Sequence, residues 1–453
     1  MGNNMNISAA IIATAGFIIL FTITSVVTFV LISIRKIVHV FKEIINMESN
    51  RKAGYLLVVL GTILAYFTYM FVLKELPNTL SDYNGHTYVY LKLMMGPRPL
   101  EGWAAAPYCL WHVTVIMLNK LAGVPLDSSA ALSSCIYALF FFVTAYHFFY
   151  KWSGREEAKV KSVVLAFFVS FLQGIYLSWV LSGNGYAGIF SMNPHHNPTQ
   201  MCVRGFGLMC FMLVADIWER TKNPEFKGRF FTIEDKLTGH YVLLAVFLFL
   251  SAAAKPTFAE MFIPAVAFTM LAVWIIKIVK KQEAGAYFKE CLKMLLAAAP
   301  ALLYILVQFL AYFIFGGSYG EGGSFVITTP FEAWHYYSDN IVLSIVLGMA
   351  FPLYVILTDA GFFFKNLVGR LALVGYFVGL LEAAFLGEKE KMDSGDFLWP
   401  MMSGMLLLWV VSVARFTENE EKDIKHRLMY IIGWAIFALH VLYGVIGLTG
   451  LQI

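Results

Sequence analysis

Apolar runs of about 18 residues or more recur along the whole of this 453-residue chain, and each is long enough as a helix to cross a hydrocarbon core of about 30 Å. In such a core the backbone must satisfy its own hydrogen bonds, which leaves helices and closed barrels. No run alternates polar and apolar residues as a lipid-facing barrel strand does. The chain therefore reads as an all-α, polytopic membrane protein. Composition agrees: 59% of residues are hydrophobic, 14% are charged and the mean hydropathy is +0.70, against roughly 25% charged in a soluble domain.

The runs predict about twelve transmembrane helices, in a range of about 10–13. They are read at 9–33, 54–73, 129–150, 162–182, 199–218, 239–253, 256–276, 292–315, 340–358, 370–386, 398–415 and 428–448. The N-terminus lacks the basic start of a cleaved signal peptide, so 9–33 is expected to be retained. Segment 104–121 is apolar enough to pass for a further span. Counting it as one would put Lys151, Arg155, Lys159 and Lys161 on the opposite side from Arg35, Lys36, Lys42, Arg51 and Lys52. Treated as a surface-lying or re-entrant helix, it leaves those residues and the basic loops 220–236, 277–293, 365–370 and 415–427 on one side, the cytoplasmic one. The N-terminus and the polar segments 74–107, 183–200, 316–340 and 387–398 then face outward. A net charge of +4 held in such loops implies no nucleic-acid partner. Five cysteines without metal-type spacing, mostly in apolar runs, read as small buried hydrophobes.

Chemistry is expected where polar residues interrupt this pattern. Ser81-Asp82-Tyr83-Asn84-Gly85-His86 places an acid and a histidine four apart, on one face if helical. Such a pair can take a proton from a hydroxyl or supply two ligands to a divalent cation, and it is also what a solvated loop contains. Asn193-Pro194-His195-His196-Asn197-Pro198-Thr199 reads as a helix start whose N–H groups would suit an anion, with Arg204 within two turns. Lys255 stands in an otherwise apolar stretch, next to Pro256. A lysine there costs roughly 2.5–3.5 kcal/mol to insert, so it lines a cavity, pairs with a charge, or snorkels with Glu260 as partner. Pro256 should break the helix and leave carbonyls in need of partners. Glu382 lies inside an apolar span, Asp396-Phe397-Leu398-Trp399 opens another, and Trp334-His335-Tyr336-Tyr337 closes the 316–340 loop. These aromatics suit an interfacial belt or a sugar-binding face. No P-loop, G-x-S-x-G elbow or H-E-x-x-H pair is present.

From Asp82 onward the chain resembles the GT-C superfamily of integral-membrane glycosyltransferases. The similar elements are Ser81-Asp82-Tyr83 to His86, Ala106-Pro107-Tyr108-Cys109-Leu110-Trp111-His112, Leu121-Ala122-Gly123-Val124-Pro125-Leu126, Asn197-Pro198-Thr199, Lys255-Pro256-Thr257-Phe258 and Asp396-Phe397-Leu398-Trp399. The likeness is best over about 80–260. It departs from the family in its extra first span, its single loop acid, the Asp at position 396 where Asn is commoner, and the lack of a large soluble C-terminal domain.

An extra N-terminal span and basic loop are read at 1–53; for the rest, the resemblance implies a catalytic core at 54–260 and a donor-lipid groove among the helices of 261–453. It implies transfer of a sugar from a polyprenyl-phosphate-linked donor to a glycan, lipid or protein acceptor on the outer face of a bacterial plasma membrane. Asp82 would be the base, with His86 beside it. Lys255, Arg204 and His195 or His196 would meet the donor phosphate. Tyr83, Trp334, His335, Glu382 and Asp396 would line an acceptor or sugar groove. No cofactor is required by this reading; a divalent cation at Asp82 and His86 is compatible with it. The alternatives are a transporter or flippase of lipid-linked glycans and a polysaccharide polymerase or ligase.

Overall fold

The computed structural model describes residues 51–79, 81–97, 99, 102–103, 106–175, 195, 197–223, 225–232, 237–310, 325–422 and 427–449. The expected first span and His196 lie outside them. Among the described residues, eight helices are long and apolar enough to cross a membrane, and a ninth span results if one bent pair is counted together. They include α1 (Arg51–Glu75), α3 (Leu126–Ser153), α5 (Pro198–Lys222), α7 (Thr257–Val279), α8 (Ala284–Phe309), α11 (Leu367–Phe385), α12 (Trp399–Lys422) and α13 (Arg427–Thr449). Between them lie α2 (Leu110–Lys120), α4 (Lys159–Ser170) and α6 (Thr238–Ala254). The bent pair is α9 (Ile341–Gly348) and α10 (Ala350–Thr358). A two-stranded antiparallel sheet pairs β1 (Phe325–Ile327) with β2 (Leu386–Glu388), Val326 opposite Gly387. No alternating run in the sequence marks either strand.

Within the 104–121 run, α2 is helical over only 11 residues, about 16 Å at 1.5 Å per residue. It is too short to cross and packs with Trp111 and His112 fully buried. Two other segments differ from expectation. The helix expected over 162–182 ends at Ser170 after 12 residues. The single span expected over 340–358 is broken by 74°. Pro352 explains the second, because it lacks the N–H that would bond Gly348 and its ring crowds that carbonyl. Next to the break, the Leu347 carbonyl accepts from the Ile175 N–H at 3.2 Å.

Glycines set a close contact between α11 and α12. A Cβ on Gly379 of α11 would lie 2.5 Å from the Cα of Met401, and one on Gly404 of α12 would lie 2.7 Å from the Gly375 carbonyl oxygen. Only hydrogen in place of a side chain lets these backbones approach, as at small-residue interfaces between membrane helices. The pairing fixes the start of α12, hence Trp399, against the end of α11.

Two clusters of charged groups lie at the two ends of the bundle. At one end, the turn between α6 and α7 meets the segments that precede α5 and α12 and follow α1. At the other, Lys161 pairs with Glu420 at 3.6 Å and Arg415 with Asp359 at 2.7 Å.

Candidate functional site

Asp82 begins a helical stretch that is α-helical over Asp82–Asn84, widens to a π-helix over Gly85–Tyr90 and closes as α-helix over Leu91–Met95. The wider turn changes which residues share a face, so the four-residue spacing of Asp82 and His86 no longer makes them a pair. Asp82 Oδ2 accepts from Asn197 Nδ2 at 2.7 Å. His86 Nδ1 lies 3.0 Å from His112 Nε2. The acid–imidazole couple read from the sequence is therefore replaced by an acid–amide and a histidine–histidine contact. Burial holds both imidazoles neutral. His112 is lowered to about 3. His86 is held well below the usual imidazole range, first by burial and then by repulsion from a charge on His112 or Lys255.

Asn197 has a second task. Its Oδ1 accepts from the backbone N–H of Thr199 and Gln200, at 3.0 and 2.9 Å, and from Thr199 Oγ1 at 2.7 Å. This is the N-cap that Asn-Pro-Thr predicts, with a consequence the sequence reading lacked. The cap occupies the N–H groups that were expected to receive an anion. What α5 presents at this end is instead the Asn197 amide, turned to Asp82.

Lys255 breaks the chain between α6 and α7 in extended conformation and is only 6% exposed. Pro256 cannot bond the Ala252 carbonyl four residues back. Gln308 of α8 supplies the missing donor, Nε2 to Ala252 O at 3.0 Å, and also reaches Pro107 O at 3.3 Å. The expected orphan carbonyl thus has its partner, and the break is locked to the loop before α2. The Lys255 ammonium lies 3.9 Å from the centre of the Trp399 ring, a desolvated cation–π contact. Asp82, Asp396 and Glu260 are the carboxylates whose charge acts on it. Glu260 is in turn a neighbour of Asp396 and of Glu382. Lys255 makes no ion pair within 4.0 Å among the described residues, so it is not the simple partner of Glu260. Gln200 ties the frame, accepting from Thr257 Oγ1 at 3.4 Å and donating to Ser403 Oγ at 3.2 Å.

Asp82, His86, Lys255, Glu382 and Asp396 thus come to one end of the bundle, with Asn197, His112, Glu260 and Trp399 added to them. Asn197 and His112 were written in the sequence as a helix start and part of a family-like run; nothing local marks either as a partner of Asp82 or His86. Other candidates go elsewhere. Arg204 sits over the Phe141 ring at 4.0 Å and next to His195, not beside Lys255. It lies seven residues beyond Asn197, about 10 Å further along α5. His195 is buried against Phe71 and Phe171 and approaches Thr68 Oγ1 at 3.5 Å. Tyr83 and Trp334 are 0% exposed, so neither ring has a free face for a sugar. His335 is exposed, with Nδ1 bonded to Phe331 O at 2.8 Å.

Among the described residues no group of three or more His, Cys, Asp or Glu converges to hold a metal ion. No family model matches the chain, and no curated protein is similar to it.

Proposed function

We propose that the chain is a membrane glycosyltransferase that moves a sugar from a polyprenyl-phosphate-linked donor to an acceptor hydroxyl. The observation that carries this reading is the convergence of Asp82 and Lys255, far apart in sequence, at one end of an apolar bundle. Asp82 takes the proton of the acceptor hydroxyl as its oxygen attacks the anomeric carbon. The bond from that carbon to the donor phosphate oxygen breaks, and the electron pair leaves on the phosphate. Lys255 offsets the charge that develops there, a stabilisation that is strongest in a dry site. Asn197 orients the Asp82 carboxylate. Asp396 and Glu382, acids in excess over the one lysine, suit the hydroxyls of a sugar, which need acceptors. The site faces the non-cytoplasmic side in this proposal, on the basic-loop asymmetry of the sequence.

Membranes containing the protein, supplied with a panel of radiolabelled polyprenyl-phosphate sugars, test this. Lys255→Gln should raise the KM for the donor by about tenfold or more, with little change in the acceptor KM. Equal effects on both would remove Lys255 from the phosphate.

One observation favours a transporter of lipid-linked glycans instead. Arg204 is 6% exposed inside the bundle, and its Nη2 has no hydrogen-bond partner among the described residues, as at a solute pathway. Net movement of a labelled lipid-linked sugar across vesicles, abolished by Arg204→Gln without any new glycosidic bond, would decide for that reading.

A further inference from the structure

The end of the bundle opposite Asp82 holds a polar cavity of about 340 Å³, formed by the end of α3, the start of α4, Arg229 and the last turns of α12. That volume falls within the range of small-molecule sites. Its lining includes three cations, Arg155, Lys161 and Arg229, and one carboxylate, Glu418. Glu418 is already engaged by Arg415 at 3.1 Å and by the Trp152 indole N–H at 3.2 Å. Arg155 and Lys161 have acidic neighbours at 3.9 and 3.6 Å. Arg229 differs from both. Its guanidinium lies over the Trp152 ring at 4.4 Å and makes no ion pair within 4.0 Å among the described residues.

Arg229 is placed there by a dedicated device. Asp216, 1% exposed near the end of α5, accepts from the backbone N–H of Arg229 at 2.7 Å, Phe230 at 2.9 Å and Phe231 at 2.8 Å. Three consecutive N–H groups on one buried carboxylate pin the segment, and the aromatic floor of Trp152 then directs the guanidinium. A second observation points to a ligand. Thr417, 8% exposed and lining the same cavity, has its Oγ1 without a hydrogen-bond partner among the described residues. The Arg229 guanidinium, whose charge the Glu418, Asp216 and Glu219 carboxylates reach without an ion pair within 4.0 Å among the described residues, is with the Thr417 hydroxyl and a lysine complementary to phosphate, which accepts bidentate bonds from arginine. Phe149 and Leu165 supply an apolar wall beside them.

We propose that this cavity binds the phosphate of an anionic phospholipid headgroup, with Arg229 as its principal ligand and Thr417 and Lys161 as supports. The wall of Phe149 and Leu165 receives the start of the lipid's apolar part. Basic pockets between helices at a membrane surface bind lipid headgroups in this way. The assignment does not depend on glycosyl transfer, and it concerns the other end of the molecule.

The test uses the full chain, purified in detergent and delipidated, with its thermal unfolding followed during titration. Phosphatidylglycerol should raise Tm saturably, and phosphatidylcholine should not. Arg229→Gln should raise the half-saturating phosphatidylglycerol concentration by tenfold or more, while Lys280→Gln, an exposed charge at the same end, should leave it unchanged. A separate titration with sodium phosphate at constant ionic strength distinguishes the sources: a rise in Tm there means that the phosphate ion alone suffices, and its absence means that the lipid is needed. Should Arg229→Gln fail to fold, the isosteric Thr417→Val must still weaken the lipid response. Equal responses of wild type and the cavity variants, or equal weakening by Lys280→Gln, would overturn the assignment.

Discussion

Asn197 caps α5 through Oδ1 and holds Asp82 through Nδ2, so substitutions at this position separate two effects. Asp is as good an N-cap as Asn, whereas Ala costs about 1 kcal/mol. Asn197→Asp should keep a Tm near that of wild type yet put two carboxylates in contact, one of which must then hold a proton. We expect transfer to fall by at least tenfold in Asn197→Asp, and stability and transfer to fall together in Asn197→Ala. Wild-type transfer by Asn197→Asp would show that the amide does not serve Asp82. His112 gives a different readout at the same scale. Burial brings its imidazole down to about 3 in the folded protein, against an ordinary value of 6.5 in the unfolded chain, so between those values the unfolded chain binds more protons. Stability should therefore fall as pH drops from about 6.5 toward 3, by up to about 1.4 kcal/mol per unit for one such group. Unfolding midpoints of wild type and His112→Gln across pH 7 to 4 check this: the variant should show the shallower slope.

At the scale of the helices, sequence was most informative where length and apolarity decide the outcome. The spans read from apolar runs between 54 and 73, 129 and 150 and 199 and 218 correspond to α1, α3 and α5, because a membrane-length apolar helix needs little tertiary information. The start of α5 was equally legible, since Asn-Pro-Thr is a local signal. The 340–358 run misled because its apolarity is continuous, although Pro352 carried the break. The close approach of α11 and α12 was not legible, since glycines at 375, 379 and 404 declare a contact only when the partner helix is known. Gly379→Ala tests that contact. Its Cβ meets the backbone of Pro400 and Met401, which cannot yield as a side chain can, so a loss of about 1–3 kcal/mol is expected in thermal or denaturant unfolding. Gly285→Ala, with nothing within 4 Å of its Cβ, should be neutral or slightly stabilising. The displaced start of α12 should also shift Trp399 from Lys255 and raise the donor KM.

Across the whole molecule, clusters of charged groups lie at two ends joined by apolar helices. Lys255 was legible as an anomaly from its neighbours in sequence, and its break from Pro256. Its company was not, because Asp82, Asp396 and Glu260 reach it from separate elements. The aromatic candidates show the same in reverse: Tyr83 is buried between Phe71 and Trp111 and Trp334 is buried as well, and no local pattern distinguishes a covered ring from a free one. The π-helix at Gly85–Tyr90 likewise redirected His86 to a partner on another helix.

In the proposed reaction Asp82 is the base, and the whole arrangement at this end of the bundle serves it. The decisive quantity is the single-turnover rate of sugar transfer from a polyprenyl-phosphate donor by Asp82→Asn, in protein whose Tm and donor binding match wild type. A fall of about 10²–10⁴-fold is expected, the range for loss of a general base. A folded, donor-binding Asp82→Asn protein that transfers sugar at the wild-type rate would contradict the assignment.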